Sequence, residues 1–346
     1  MRKIYQILLL FFVSISFAQN PLDVADSIAI NSKYNGDLNQ LVLDLTGNLE
    51  GEIDKTRAIY SWITHNISYD YKLFNKGQKS IAIKSKNKAE YELKKQKIYD
   101  DVVQKVLRKR KGICSGYSLL FKKMSDIAGI NSLYVDGYVK TKMTQVGKLG
   151  VLDHAWNAVI IDGEIFFLDL TWASGFCESG KNGKLTNFTK KKNDFYWFTD
   201  TEKFTIDHFP KNPEELLYFD IAKEDYKNQP YIAADIIPYI EVQNPKTGIL
   251  KAALNDTLRF SFKYLKDFEK LQINTNSKRN PRIYSINKQK EKVLNQKAIL
   301  RQEYISYQKR DDSFEFHYVI ENQNLRYIEI LFDHEVMLKY LVKIEP

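Results

Sequence analysis

Cysteine is scarce in this 346-residue chain, which has two, Cys114 and Cys177. Neither lies in a CxxC pair and the five histidines form no HExxH spacing, so a zinc site finds no support and no cofactor or metal is expected. Proline is scarce as well, with eight residues, while 44% of the chain is hydrophobic, so the chain can bury real cores. It has no internal repeat, and its longest biased tract is a lysine-rich stretch. No aromatic-interleaved basic motif accompanies the formal net charge of +9, and much of the excess sits in two runs, 72–97 and 108–111. A lysine run is ordinarily a solvated face, so no nucleic-acid partner is expected.

Long apolar runs are also missing, except at the start. Met1, Arg2 and Lys3 precede an apolar stretch from Ile4 to Phe17, closed by Ala18 and Gln19. This is the layout of a cleavable secretory signal, with Ser16 and Ala18 as the small residues near the cut. The stretch is shorter than the roughly 20 residues a spanning helix needs. The expectation is a signal peptide over 1–18, a secreted or periplasmic mature chain and no integral membrane segment after its removal.

The length exceeds one ordinary domain of about 150 residues, and the pattern changes along it. Apolar residues recur at helical steps through Ile59, Trp62, Ile63 and Ile67. A polar, lysine-rich segment to about residue 97 then reads as a surface insertion. Val102, Val103, Val106 and Leu107 suggest a helix capped by Asp100 and Asp101 and stopping at Gly112. A second helix starts near Ser115 and ends at Gly129. Strands are expected at 133–140, 153–161 and 164–172, the last two joined by the turn dipeptide Asp162-Gly163. From about residue 231 the chain reads as alternating strands. The expectation is an α+β domain over 19–228 and an all-β, sandwich-like accessory domain over 229–346.

The chemistry concentrates in three places. In Gly112-Ile113-Cys114-Ser115-Gly116 a thiol stands at the entry to an apolar helix, where the positive end of the helix dipole favours the thiolate. The flanking glycines allow a substrate or another backbone to come close. The hairpin supplies the rest. If Asp162-Gly163 is a two-residue turn, Ile161 faces Glu164 and paired numbers sum to 325, so His154 faces Thr171. Asp169, two residues along, then shares the face of His154, and diagonal neighbours at about 7 to 8 Å can hydrogen-bond. A carboxylate on one imidazole nitrogen leaves the other to take a thiol proton. Cys114, His154 and Asp169 are thus the candidate catalytic residues. Each also has a plain structural reading: a small buried thiol, a packed sheet histidine, an aspartate capping a backbone N–H.

Together with Ala58-Ile59-Tyr60-Ser61-Trp62-Ile63, the stretches GICSGYS, DHAWNAV and FLDLTWA resemble the transglutaminase-like superfamily. The resemblance is to bacterial relatives of the kyphoscoliosis peptidase group in particular. It extends over about 38–217, including the closing segment that carries His208. It implies a papain-like core with Cys114 on a central helix and His154 and Asp169 on the adjoining sheet. It further implies thioester chemistry on a peptide or glutamine carboxamide, with the Cys114 backbone N–H as one oxyanion donor. Hydrolysis and crosslinking share that thioester. The implied partners are a protein or peptide substrate or a cell-envelope polymer. Trp62 and Tyr69 lie where relatives supply aromatic site residues, although Trp62 also fits a core stripe. The alternative is a module of this fold that binds peptide or polymer without turning it over.

Overall fold

The computed structural model describes residues 21–77, 83–180, 182–213, 221–287 and 291–345. The signal sequence expected over 1–18 lies outside them. No helix among the described residues is long and apolar enough to cross a membrane.

Three helices open the fold: Pro21–Asn31, Leu38–Thr46 and Glu52–Asn66. Asp37 caps the second by accepting from the N–H groups of Asn39 and Gln40. The third is more deeply enclosed than an amphipathic stripe implies, with every residue from Thr56 to Thr64 buried. The charge of Arg57 inside this helix is met by Asp26, with Nε donating to Oδ1 at 2.7 Å. Trp62 is fully buried and its indole N–H donates to the Ser32 carbonyl at 3.0 Å, so it belongs to the core rather than the site.

Two expectations for the middle of the chain are corrected. The stripe at 102–107 is the end of one 22-residue helix, Lys88–Lys109, which starts inside the lysine-rich segment. Its cap is Asn87, which accepts from the Glu90 N–H at 2.9 Å, so Asp100 and Asp101 are not caps. Asp100 instead pairs with Lys123 at 3.0 Å. The second correction concerns the hairpin. The strand Glu164–Leu168 ends five residues after it begins, and Leu170–Ser174 is a short helix. Thr171 therefore has no cross-strand partner.

The turn itself has the expected register. Ile161 pairs with Glu164 and Asn157 with Leu168, with Asp162 and Gly163 both at positive φ as a type I′ turn requires. The resulting antiparallel sheet runs Glu164–Leu168, Leu152–Ile161, Ser132–Val139, His208–Pro210. The helix Cys114–Ile127 packs against it. Asn157, fully buried, joins the two layers by donating to the carbonyls of Ser118 at 3.1 Å and Leu133 at 3.0 Å. A helix carrying the cysteine, laid on an antiparallel sheet, is the expected α+β core.

From Tyr231 onward two sheets face each other. One runs Ile240–Asn244, Thr257–Tyr264, Ser313–Val319, Gln308–Arg310. The other runs Ile249–Ala252, Glu335–Ile344, Tyr327–Phe332, Leu271–Thr275. Phe262 meets Phe332 at 5.2 Å between ring centres and Phe260 meets Tyr340 at 5.2 Å, so aromatic side chains fill the space between the sheets. The arrangement is a sandwich, with one departure from antiparallel pairing: Ile249–Ala252 runs parallel to Glu335–Ile344.

The sandwich also touches the loop that leads into the candidate site. Gly147 donates its N–H to the Lys227 carbonyl at 2.8 Å, and a Cβ there would lie 3.3 Å from Ile249 Cδ1. Lys140, 3% exposed, donates from Nζ to the carbonyls of Tyr226 at 2.6 Å and Gln229 at 3.1 Å.

Candidate active site

Cys114 is the first residue of its helix, preceded by extended Ile113 and by the short strand Lys111–Gly112, which pairs in parallel with Ser68–Tyr69. Ile113 makes no side-chain cap, so the first N–H groups of the helix have no side-chain acceptor there. The glycines on either side serve packing more than substrate entry. A Cβ on Gly116 would lie 2.9 Å from Val106 Cγ2, and one on Gly112 would lie 3.1 Å from the same atom. They let the long helix Lys88–Lys109 press against the cysteine turn. Cys114 is 3% exposed, and its sulfur donates to the Asp153 carbonyl at 3.7 Å.

His154 comes from the strand Leu152–Ile161, opposite Gly137. Only glycine fits there: a Cβ at Gly137 would stand 2.0 Å from Trp156 Cη2. The strand pairing shifts register between Gly137 and Tyr138, so Asp153 is passed over in the ladder. This bulge lies before His154 and outside the stretch counted from the turn. The count holds through Asn157 and Leu168 and stops short of His154, whose expected partner Thr171 lies in the helix, yet His154 Nε2 lies 2.6 Å from Asp169 Oδ2.

Asp169 fulfils both of its readings, one with each oxygen. Oδ1 accepts from the N–H groups of Thr171 at 2.8 Å and Trp172 at 3.1 Å, which caps the helix Leu170–Ser174. Oδ2 faces His154. The carboxylate is fully buried, and although burial opposes its charge, His154 and His208 hold it well below the usual carboxylate range. Burial likewise opposes charge on His154. The charge and hydrogen bond of Asp169, with a further contribution from Cys114, outweigh it and push the imidazole up to about 10.

Asp169 occupies Nε2, which leaves Nδ1 as the nitrogen free to act on a thiol, and Cys114 Sγ reaches the backbone carbonyl of Asp153, the residue next to His154. Trp172 stacks on His154 with ring centres 4.9 Å apart and an interplanar angle of 27°. The three residues singled out in the sequence are thus brought together.

The structure adds a fourth group. His208 Nε2 lies 3.3 Å from the same Asp169 Oδ2, and its Nδ1 lies 2.6 Å from Asp207 Oδ1. In sequence its signal was an adjacent carboxylate and imidazole leading into the apolar Phe209-Pro210, a pattern that a structural turn also produces. His154, Asp169 and His208 could each offer one donor atom to a metal, but their mutual hydrogen bonds already account for the arrangement. Cys177 is a free, half-buried thiol paired across a hairpin with Phe188. Tyr69 packs between Phe74 and Phe188, at 6.0 and 6.5 Å between ring centres.

The fold that carries these residues has counterparts among known proteins. Residues 37–176 match the transglutaminase-like domain family. The matched span includes Cys114, His154 and Asp169 and stops short of His208. The mouse (Mus musculus) kyphoscoliosis peptidase is 30% identical over 237 residues, covering 63% of this chain and 32% of that protein. Its human (Homo sapiens) counterpart is 30% identical over 221 residues, covering 63% and 30%. This chain therefore spans about a third of the length of these curated relatives. A solved structure of a TGase aligns with 54% of this chain and 40% of its own at 17% identity and a TM-score of 0.28, too slight a likeness to argue from.

Proposed function

We propose that the protein is an exported cysteine-dependent acyl-transfer enzyme acting on peptide or glutamine carboxamide bonds, with Cys114 as nucleophile, His154 as acid and base, and Asp169 as its orienting carboxylate. The observation that carries this reading is the 2.6 Å contact between His154 Nε2 and Asp169 Oδ2, with the Cys114 sulfur on the carbonyl of the adjacent Asp153. The thiolate attacks the carbonyl carbon, and the tetrahedral oxyanion forms near the Cys114 backbone N–H. Collapse breaks the C–N bond, with the imidazolium giving its proton to the departing amine or ammonia. Water or a second amine, deprotonated by the neutral imidazole, then attacks the thioester and restores the thiol. The substrate is a protein or peptide, or a peptide-bearing cell-envelope polymer.

The test is the rate of Cys114 alkylation by iodoacetamide, followed by peptide mass spectrometry. The reading requires reaction at about pH 6 that slows sharply in His154→Ala. A profile like that of a free thiol near pH 8.5 overturns it. The low exposure of Cys114, 3%, favours a second reading, a binding module that does not turn its ligand over. Incubation with a glutamine peptide and a labelled primary amine separates the cases, because only an enzyme accumulates a thioester, ammonia or a crosslinked product. Export is tested by N-terminal sequencing, which should find the mature chain starting near Gln19.

A further inference from the structure

The carboxylate that orients His154 is shared by a second imidazole, fully buried and 39 residues away in sequence. His208 opens the strand His208–Pro210 and pairs with Val139 at the sheet edge. Its two nitrogens face two carboxylates, Asp169 at 3.3 Å and Asp207 at 2.6 Å. An ionised carboxylate can only accept, so satisfying both contacts requires an N–H on each nitrogen, which is the imidazolium form. The aromatic walls hold the ring in place: Phe204 stacks on it at 4.0 Å, Trp172 lies at 4.6 Å and Trp156 meets it edge-on at 5.0 Å.

We infer that His208, anchored by Asp207, is a positioning residue that fixes the Asp169 carboxylate and sets the pH range over which Cys114 reacts. This rests on the reading of Cys114 as nucleophile. Asp169 carries the charge that His154 senses, and an imidazolium on the same oxygen withdraws part of it. His208, itself fully buried, is thereby a cation 5.6 Å from the His154 ring centre. Burial opposes its charge, yet Asp207 and Asp169 outweigh that and raise its pKa. The other ionisable groups facing it are Tyr196, at 6.3 Å, and Tyr226, whose hydroxyl donates to the Asp207 carbonyl. Lys140 sits beyond Tyr226, with its backbone N–H on that same carbonyl. A histidine that only filled space would need neither carboxylate.

The sign follows from the charge. Removing a buried cation disfavours nearby anions and favours protonation of His154. Both limbs of the alkylation profile should therefore move to higher pH. The test uses the full mature chain and measures iodoacetamide reaction at Cys114 between about pH 4 and pH 10 in wild type, His154→Ala, His208→Gln and Asp207→Asn. His208→Gln keeps an amide donor for Asp169 and loses the charge. It should shift the midpoints upward by about half a unit to one unit while remaining folded. Asp207→Asn, which weakens the anchor of that charge, should shift them in the same direction by less, and serves if His208→Gln fails to fold. Superimposable profiles in an activated wild type overturn the inference and leave the nucleophile reading intact. A wild type indifferent to His154→Ala overturns both. Loss of amplitude without movement of the midpoints marks a structural role only and also overturns the inference.

Discussion

His154 and Asp169 meet at 2.6 Å just beyond the end of a hairpin, where the strand that would have carried Asp169 has already stopped. Asp169 stays on the face of His154 because the turn sets the pairing through Leu168 and the helix it caps then fixes its rotamer. This divides its two oxygens between folding and chemistry. Asp169→Asn can keep a carbonyl oxygen for the cap, while its amide meets Nε2 as a donor and reverses the tautomer. Alkylation of Cys114 at about pH 6 should fall by roughly 10²-fold or more, in line with the loss seen when a triad carboxylate is replaced by its amide. Thermal stability should fall less than in Asp169→Ala, which also loses a cap worth about 1 kcal/mol. Unchanged reactivity in Asp169→Asn would remove its orienting role.

The same pair sets a pH dependence of stability. Asp169 has a depressed folded value, so its contribution is present above the ordinary 3.8 and is lost as pH falls through the folded value. His154 is raised from 6.5 to about 10, so its contribution is complete below 6.5 and is lost as pH rises through about 10. Urea midpoints should therefore be highest between about pH 4 and 6.5 and decline on the alkaline side. In His154→Gln that alkaline decline should flatten. An equal decline in both proteins would mean that the pair does not carry it.

Gly116 is expected to resist even one added carbon. Its Cβ would stand 2.9 Å from Val106 Cγ2 on a neighbouring helix, where both residues are enclosed. Gly116→Ala should cost roughly 1 to 3 kcal/mol, the range for overpacking. Val106→Ala in the same chain should recover part of it, because the clashing methyl is gone. The measurement is a double-mutant cycle by chemical denaturation, and additive losses would place the strain elsewhere.

Lys140 should matter for the junction between the helix-and-sheet core and the sandwich. Its ammonium gathers the carbonyls of Tyr226, Lys227 and Gln229. Lys140→Met keeps the stem and removes the donors, leaving these carbonyls short of a partner at a cost of about 1 to 3 kcal/mol. Limited proteolysis should then cut faster between residues 225 and 237, where the boundary between the two parts is proposed. A cleavage pattern identical to wild type would show that the junction is held by other contacts.

What the sequence determined by itself was whatever depends on neighbours along the chain. The turn Asp162-Gly163 set the pairing as far as Asn157 and Leu168, because a period of two residues leaves no freedom once the turn is set, and the Asp169 cap completed the approach to His154. The helix start at Cys114 was legible from a glycine-bounded apolar run, and the sandwich from repeated alternation. Short or strongly polar segments were less legible. Residues 170–174 suit strand and helix alike, and only the Asp169 cap decides between them. The helix Lys88–Lys109 hides in a lysine-rich surface because just three of its residues, Val103, Val106 and Leu107, are buried. Tertiary structure alone decided that the Gly112 and Gly116 gaps are filled by Val106 and that His208 shares an oxygen with His154. Neither is written in any local pattern, because each joins elements whose separation in space is set by packing and not by the period of the chain between them.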